Sequence, residues 1–101
     1  DTTVGGSIAI GPNALNSMSG SAAYGNIAIG KDALSSATTS DKMTAIGFEA
    51  LRLSTRSDAT AIGYQALDQF TTTTNVWDAP TAIGANALGS LTTGGSNTAV
   101  G

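Results

Sequence analysis

Thr60-Ala61-Ile62-Gly63-Tyr64-Gln65-Ala66-Leu67 decides the architecture, because the chain keeps returning to it. Ile8 to Leu15, Ile27 to Leu34, Thr44 to Leu51 and Thr81 to Leu88 align with it without a gap, under the pattern (Ile/Thr)-Ala-Ile-Gly-x-x-Ala-Leu. Thr98-Ala99-Val100-Gly101 opens a further copy, and Thr3-Val4-Gly5 reads as a degenerate earlier one. The glycines fall at 11, 30, 47, 63, 84 and 101, in steps of 19, 17, 16, 21 and 17 residues. A constant motif joined by unequal linkers describes a solenoid, whose coil is fixed and whose insertions go into loops.

Residues 1–101 therefore read as one repetitive segment, with copies starting near 8, 27, 44, 60, 81 and 98. Solenoids carry polar caps at their ends. None is apparent here, so the segment is expected to be an excerpt of a longer fibre.

Within a copy, alternation places Thr60 and Ile62 on one face of a strand and Ala61 on the other. The Ile side is assigned to the interior. Ala permits close approach from behind, and Gly63 ends the strand where φ > 0 or a close backbone contact is needed. Stacking the copies then gives one ladder of Ile10, Ile29, Ile46, Ile62, Ile83 and Val100. Leu15, Leu34, Leu51, Leu67 and Leu88 form a second. The turn glycines are Gly11, Gly30, Gly47, Gly63, Gly84 and Gly101. The two residues after each glycine vary (Pro-Asn, Lys-Asp, Phe-Glu, Tyr-Gln, Ala-Asn), so they face outward.

An apolar residue follows the Leu by three places at Met18, Ala37, Phe70 and Leu91, and by two at Leu53. That spacing fits one helical turn, a 3₁₀ turn, or a second short strand with a bend. The fold class is thus all-β, a parallel β-solenoid or β-roll of about six short coils, with a helical turn at Ala-Leu as one option. One Ile, one Leu and two Ala per copy are sparse against the entropy of ordering the coil. Burial against further chains would supply the deficit, and a homotrimer is one solution.

Composition narrows the function. Charged residues make up 11% of the chain, the net charge is −3, and the four basic residues Lys31, Lys42, Arg52 and Arg56 are scattered. Nucleic-acid binding has no electrostatic basis. No apolar run reaches the length of a membrane helix. There is no His and no Cys, which removes the commonest general base and nucleophile and leaves Ser and Thr without an activating partner. An enzyme is not expected, and no cofactor is implied. Asp41, Asp58 and Asp78 each precede a strand, but without the clustered oxygens of a calcium loop they read as turn formers, and no metal is expected.

The longest linker, Asp68 to Pro80, holds Thr72, Thr73 and the single Trp77. It is the candidate contact loop for a ligand or glycan, weighed against packing of Trp77 on the coil or on a neighbouring chain. Phe48 and Tyr64 occupy the same place in adjacent copies and are expected to stack.

The repeats resemble the head repeats of trimeric autotransporter adhesins. They resemble more closely the Asn-Thr-Ala-Ile-Gly-Tyr-x-Ala-Leu repeats of phage tail-fibre-like proteins, to which Thr60–Leu67 nearly conforms. The resemblance covers the chain from Ser7 to Gly101. The Ala-Leu after the glycine and the uneven period draw it towards the tail-fibre-like group. It implies a left-handed parallel β-roll, assembled as a homotrimer, in an extracellular fibre of a virion tail or a bacterial cell surface that attaches to a receptor or glycan. An ice- or glycan-binding solenoid and a purely structural filament are the alternatives. Thr44, Thr60, Thr81 and Thr98 make the ladder an ice-binding surface would need, which Ile8 and Ile27 interrupt.

Overall fold

The computed structural model describes residues 5–17, 24–38, 40–54, 57–71, 79–92 and 95–101. Each Ile/Thr-Ala-Ile/Val triplet is a three-residue strand: β1 Ile8–Ile10, β2 Ile27–Ile29, β3 Thr44–Ile46, β4 Thr60–Ile62, β5 Thr81–Ile83 and β6 Thr98–Val100. They form one six-stranded sheet in chain order. Every pairing is parallel and in the same register, so Ala28 meets Ala45, Ala45 meets Ala61, and Ile46 meets Ile62. The chain is an all-β solenoid, each strand pair joined by one return of the chain. β-branched residues at both ends of each triplet suit the extended backbone.

The glycine after each strand turns the corner. Gly30, Gly47 and Gly63 have φ of 127°, 134° and 132°. A Cβ on Gly47 would stand 2.5 Å from the carbonyl oxygen of Gly63, and one on Gly63 would stand 2.6 Å from that of Gly84. No other residue fits both the dihedral and the space.

The segment after the corner is a run of linked turns, and no helix occurs among the described residues. In the second copy Ala33 N–H donates to Gly30 C=O at 3.3 Å, Ser35 N–H to Asp32 C=O at 3.3 Å, and Ala37 N–H to Leu34 C=O at 3.3 Å. Asp32 and Leu34 are the third residues of the first two turns, with φ of 60° and 51°. A positive φ there alone is the type II signature. The same signs recur at Asn13 and Leu15, Glu49 and Leu51, Gln65 and Leu67, and Asn86 and Leu88. The helical-turn option is therefore corrected. Alternating φ signs cannot make a helix, and the apolar residue three places after Leu closes a third turn.

Five leucines in the left-handed region are unusual, because a Cβ there crowds the following carbonyl. Their surroundings hold them. Leu34, Leu51 and Leu67 are fully buried. Their N–H groups donate to the next coil at Ala50, Ala66 and Ala87 C=O, each at 3.0 Å. The leucine wall is thus a second ladder of backbone bonds facing the sheet.

Which face of the sheet is internal differs from the sequence expectation. Ala28, Ala45, Ala61 and Ala82 are completely buried, whereas Ile10 is 46% exposed and Val100 75%. The ladder Ile10, Ile29, Ile46, Ile62, Ile83 and Val100 stacks in register, but on the outside. The leucines of the opposite wall fill the narrow coil, together with Phe70 and Met43. Only Ala fits across from them.

The residue before each of β1 to β5 is buried, and several of these residues are linked. Asn26 N–H donates to Ser7 Oγ at 3.0 Å, Met43 N–H to Asn26 Oδ1 at 3.0 Å, and Ala59 N–H to Met43 Sδ at 3.3 Å. The Ala59 side chain offers no acceptor, and the next residue in the series, the buried Pro80, has no N–H to satisfy. The buried N–H groups of Asn26, Met43 and Ala59 therefore each have a partner, as burial requires.

Candidate functional site

The outward face of the sheet is the most extended surface feature. It carries two ranks of side chains. Ile8, Ile27, Thr44, Thr60, Thr81 and Thr98 form one, and the Ile10-to-Val100 ladder forms the other. Neighbours stand about 4.8 Å apart across strands and roughly 6.6 Å apart along them, from the repeat of a parallel sheet. None of the six strands contains a charged residue. Ile8, Ile10, Ile62 and Ile83 are all more than a third exposed. An uncharged face with an aliphatic rank beside a largely Thr rank can bury area against a matching surface, but it holds no acid or base.

Past the corner glycines runs a different flank. Lys31, Phe48 and Tyr64 follow Gly30, Gly47 and Gly63. The Phe48 and Tyr64 rings stack with centroids 5.6 Å apart and 23° between planes, and the Lys31 ammonium lies 5.2 Å from the Phe48 centroid. The next position, held in the left-handed region, builds a polar ladder. Asn13 Nδ2 donates to Asp32 Oδ1 at 3.0 Å, and Gln65 Nε2 to Glu49 Oε2 at 2.6 Å. Lys31 also pairs with Asp32. That hydrogen bond, and then the one from Asn13, hold the Asp32 carboxyl below its ordinary range.

One turn further on, Arg52 grips Asp68 with two bonds, Nε to Oδ1 at 2.9 Å and Nη2 to Oδ2 at 3.1 Å. The Asp68 side chain is only 7% exposed, and its carboxylate raises the Arg52 pKa further. On the pre-strand flank, Asp41 is held below its usual range chiefly by the Ser57 hydroxyl.

The structure places the other sequence-predicted residues as follows. Leu15, Leu34, Leu51 and Leu67 line the interior and Leu88 packs against it. Gly11, Gly30, Gly47, Gly63, Gly84 and Gly101 all have positive φ at the strand ends. Thr72, Thr73 and Trp77, together with Asp78 and Met18, lie outside the described residues. Among the described residues, no group of three His, Cys, Asp or Glu could hold a metal, and no helix is long and apolar enough to cross a membrane.

Sequence reasoning missed a polar notch of about 300 Å³ lined by Gln65, Asp68, Gln69, Asn86, Gly89 and Ser90. Its signal was present in the aligned copies. The residue after the corner glycine falls from Tyr64 to Ala85, and the residue after the Leu falls from Asp68 to Gly89.

Comparison with protein-family models, with curated proteins and with solved structures finds no match.

Proposed function

We propose that this chain is a structural and attachment module of an extracellular trimeric fibre, of the phage tail-fibre-like or bacterial surface-adhesin kind. The outward Ile rank carries the reading. The leucines of the opposite wall already fill the coil interior, and the isoleucines of the strands stand outside it, on a face with no charge to repel an identical face. Packing that face against two further copies removes it from water at roughly 25 cal/mol per Å² of apolar area. It also supplies burial that an Ala-lined coil lacks.

The mass in solution, measured by light scattering, tests this. The parent chain should have the mass of three chains. Ile46→Asp combined with Ile62→Asp should have the mass of one, with its strand signature in circular dichroism retained because both side chains point outward. A parent chain that is monomeric at every accessible concentration would overturn the proposal.

A second reading draws on the regularity of the same grid. Equally spaced Thr and Ile ranks on a rigid sheet could order water and bind ice. Thermal hysteresis in a monomeric sample would favour it, and its absence would remove it.

A further inference from the structure

The notch lies between the fourth and fifth copies, where two side-chain ladders step down. From the third copy to the fourth, the position after the corner glycine stays large, Phe48 then Tyr64, and the position after the Leu stays long, Arg52 then Asp68. In the fifth copy these become Ala85 and Gly89. Both ladders lose height at the same coil, so the side chains of the fourth copy border open space there instead of a stacked neighbour. Tyr64 has one ring face on Phe48 and only a methyl group following it in the ladder.

The lining is chemically uniform. Gln65, Gln69 and Asn86 present amides, Ser90 a hydroxyl, and Asp68 a carboxylate. Arg52 bonds both oxygens of that carboxylate, so the notch has a strong fixed acceptor without a free negative charge. Gln65 is oriented by its bond to Glu49, and Asn86 N–H donates to the Tyr64 backbone C=O at 2.7 Å, which fixes the backbone of the notch across the two coils. Paired donors and acceptors from amides, a hydroxyl and a fixed carboxylate match a ligand with many hydroxyls. A neutralised carboxylate argues against a cation, and the absence of a lysine or arginine from the lining argues against an anion. The volume sits at the lower end of ligand pockets.

We infer that the notch lined by Gln65, Asp68, Gln69, Asn86, Gly89 and Ser90 is a binding site for a neutral saccharide. The inference rests on the attachment reading for its purpose. None of the lining residues belongs to a strand of the Ile/Thr face.

The test is a titration of the ¹⁵N-labelled chain with maltotriose, cellotriose and tri-N-acetylchitotriose, following the side-chain amide signals of Gln65, Gln69 and Asn86. One of the three should shift these signals to saturation. Ser90→Trp and, separately, Gln69→Trp, both at exposed rim positions, should weaken that binding roughly tenfold or more. No shift with any of the three, an equal shift in both variants, or a response to calcium chloride instead would overturn the assignment. Light scattering on the same samples separates the two proposals. A trimer without the shift removes the saccharide site alone, whereas a monomer with it removes the trimeric fibre alone.

Discussion

Asn26 is the hydrogen-bond partner of the buried Met43 N–H, accepting it on Oδ1 at 3.0 Å while its own Nδ2 donates to the Ser40 carbonyl at 2.8 Å. One fully buried amide thus satisfies two backbone groups in the interior. Replacing it with Leu keeps the volume and strands both. Asn26→Leu should destabilise the chain by about 2–5 kcal/mol, from two orphaned groups at ~1–3 each. Met43→Leu orphans one group, the buried Ala59 N–H, which now bonds only a weak sulfur acceptor, and should cost about 1–2 kcal/mol. Urea denaturation of the two variants checks the order, and equal midpoints would count against it.

A pre-strand glycine and a corner glycine separate dihedral strain from steric clash. Gly25 has φ of 67° with nothing near its missing Cβ, whereas Gly47 has φ of 134° with the Gly63 carbonyl 2.5 Å away. Gly25→Ala should cost about 1–2 kcal/mol from the left-handed conformation alone. Gly47→Ala adds overpacking against backbone and should cost roughly 3–5 kcal/mol. Thermal unfolding compares them, and a Gly47→Ala variant as stable as Gly25→Ala would show that the corner can relax.

Lys42 offers a stabilising change. It lies two places before its strand, where the first two copies carry Gly6 and Gly25, and its φ is 55°. Its ammonium is 3.4 Å from Asp41 and well exposed, so the pair contributes little. Its N–H bond to the Tyr24 carbonyl at 2.9 Å would survive substitution. Lys42→Gly should raise stability by roughly 0.5–1 kcal/mol through relief of left-handed strain. A fall in the urea midpoint would contradict this.

Acid should weaken the fold through carboxylates with lowered pKa. Asp32 is lowered first by Lys31, and Asp41 first by Ser57. A depressed folded pKa gives stability that is present above the unfolded value of about 3.9 and lost as pH falls through the folded one. The urea midpoint should stay level from neutral pH to roughly pH 5 and drop below roughly pH 4. Asp41→Asn should flatten that drop. A decline that starts near neutral pH would point to other groups.

The repeat, the strand triplets and the parallel stacking were legible because Thr/Ile-Ala-Ile-Gly marks each strand and its end. The side of the sheet that is buried was not. Alternation assigns Ile62 and Ala61 to opposite faces without saying which is internal. Placing the larger residue inside fails because Leu67 from the opposite wall already occupies the coil. The Ala66-Leu67 segment misled for a related reason. A spacing of three is common to helices and to chained turns. Asn13, Asp32 and Asn86 suit left-handed turn positions, but nothing in the type of Leu67 announces its φ of 50°. The notch was hidden because it opens where Gly89 lacks the side chain that Asp68 has one coil earlier. The linker holding Thr72, Thr73 and Trp77 lies outside the described residues.

The steps between corner glycines range from 16 to 21 residues, yet every strand pairs with the next in the same register. Height along the rod is therefore counted in motifs and is indifferent to chain length. Segments between motifs can grow, shrink or change character on the flanks while the spacing of everything mounted on the axis stays constant. Such a chain can acquire new side decoration by simple insertion and keep its pitch.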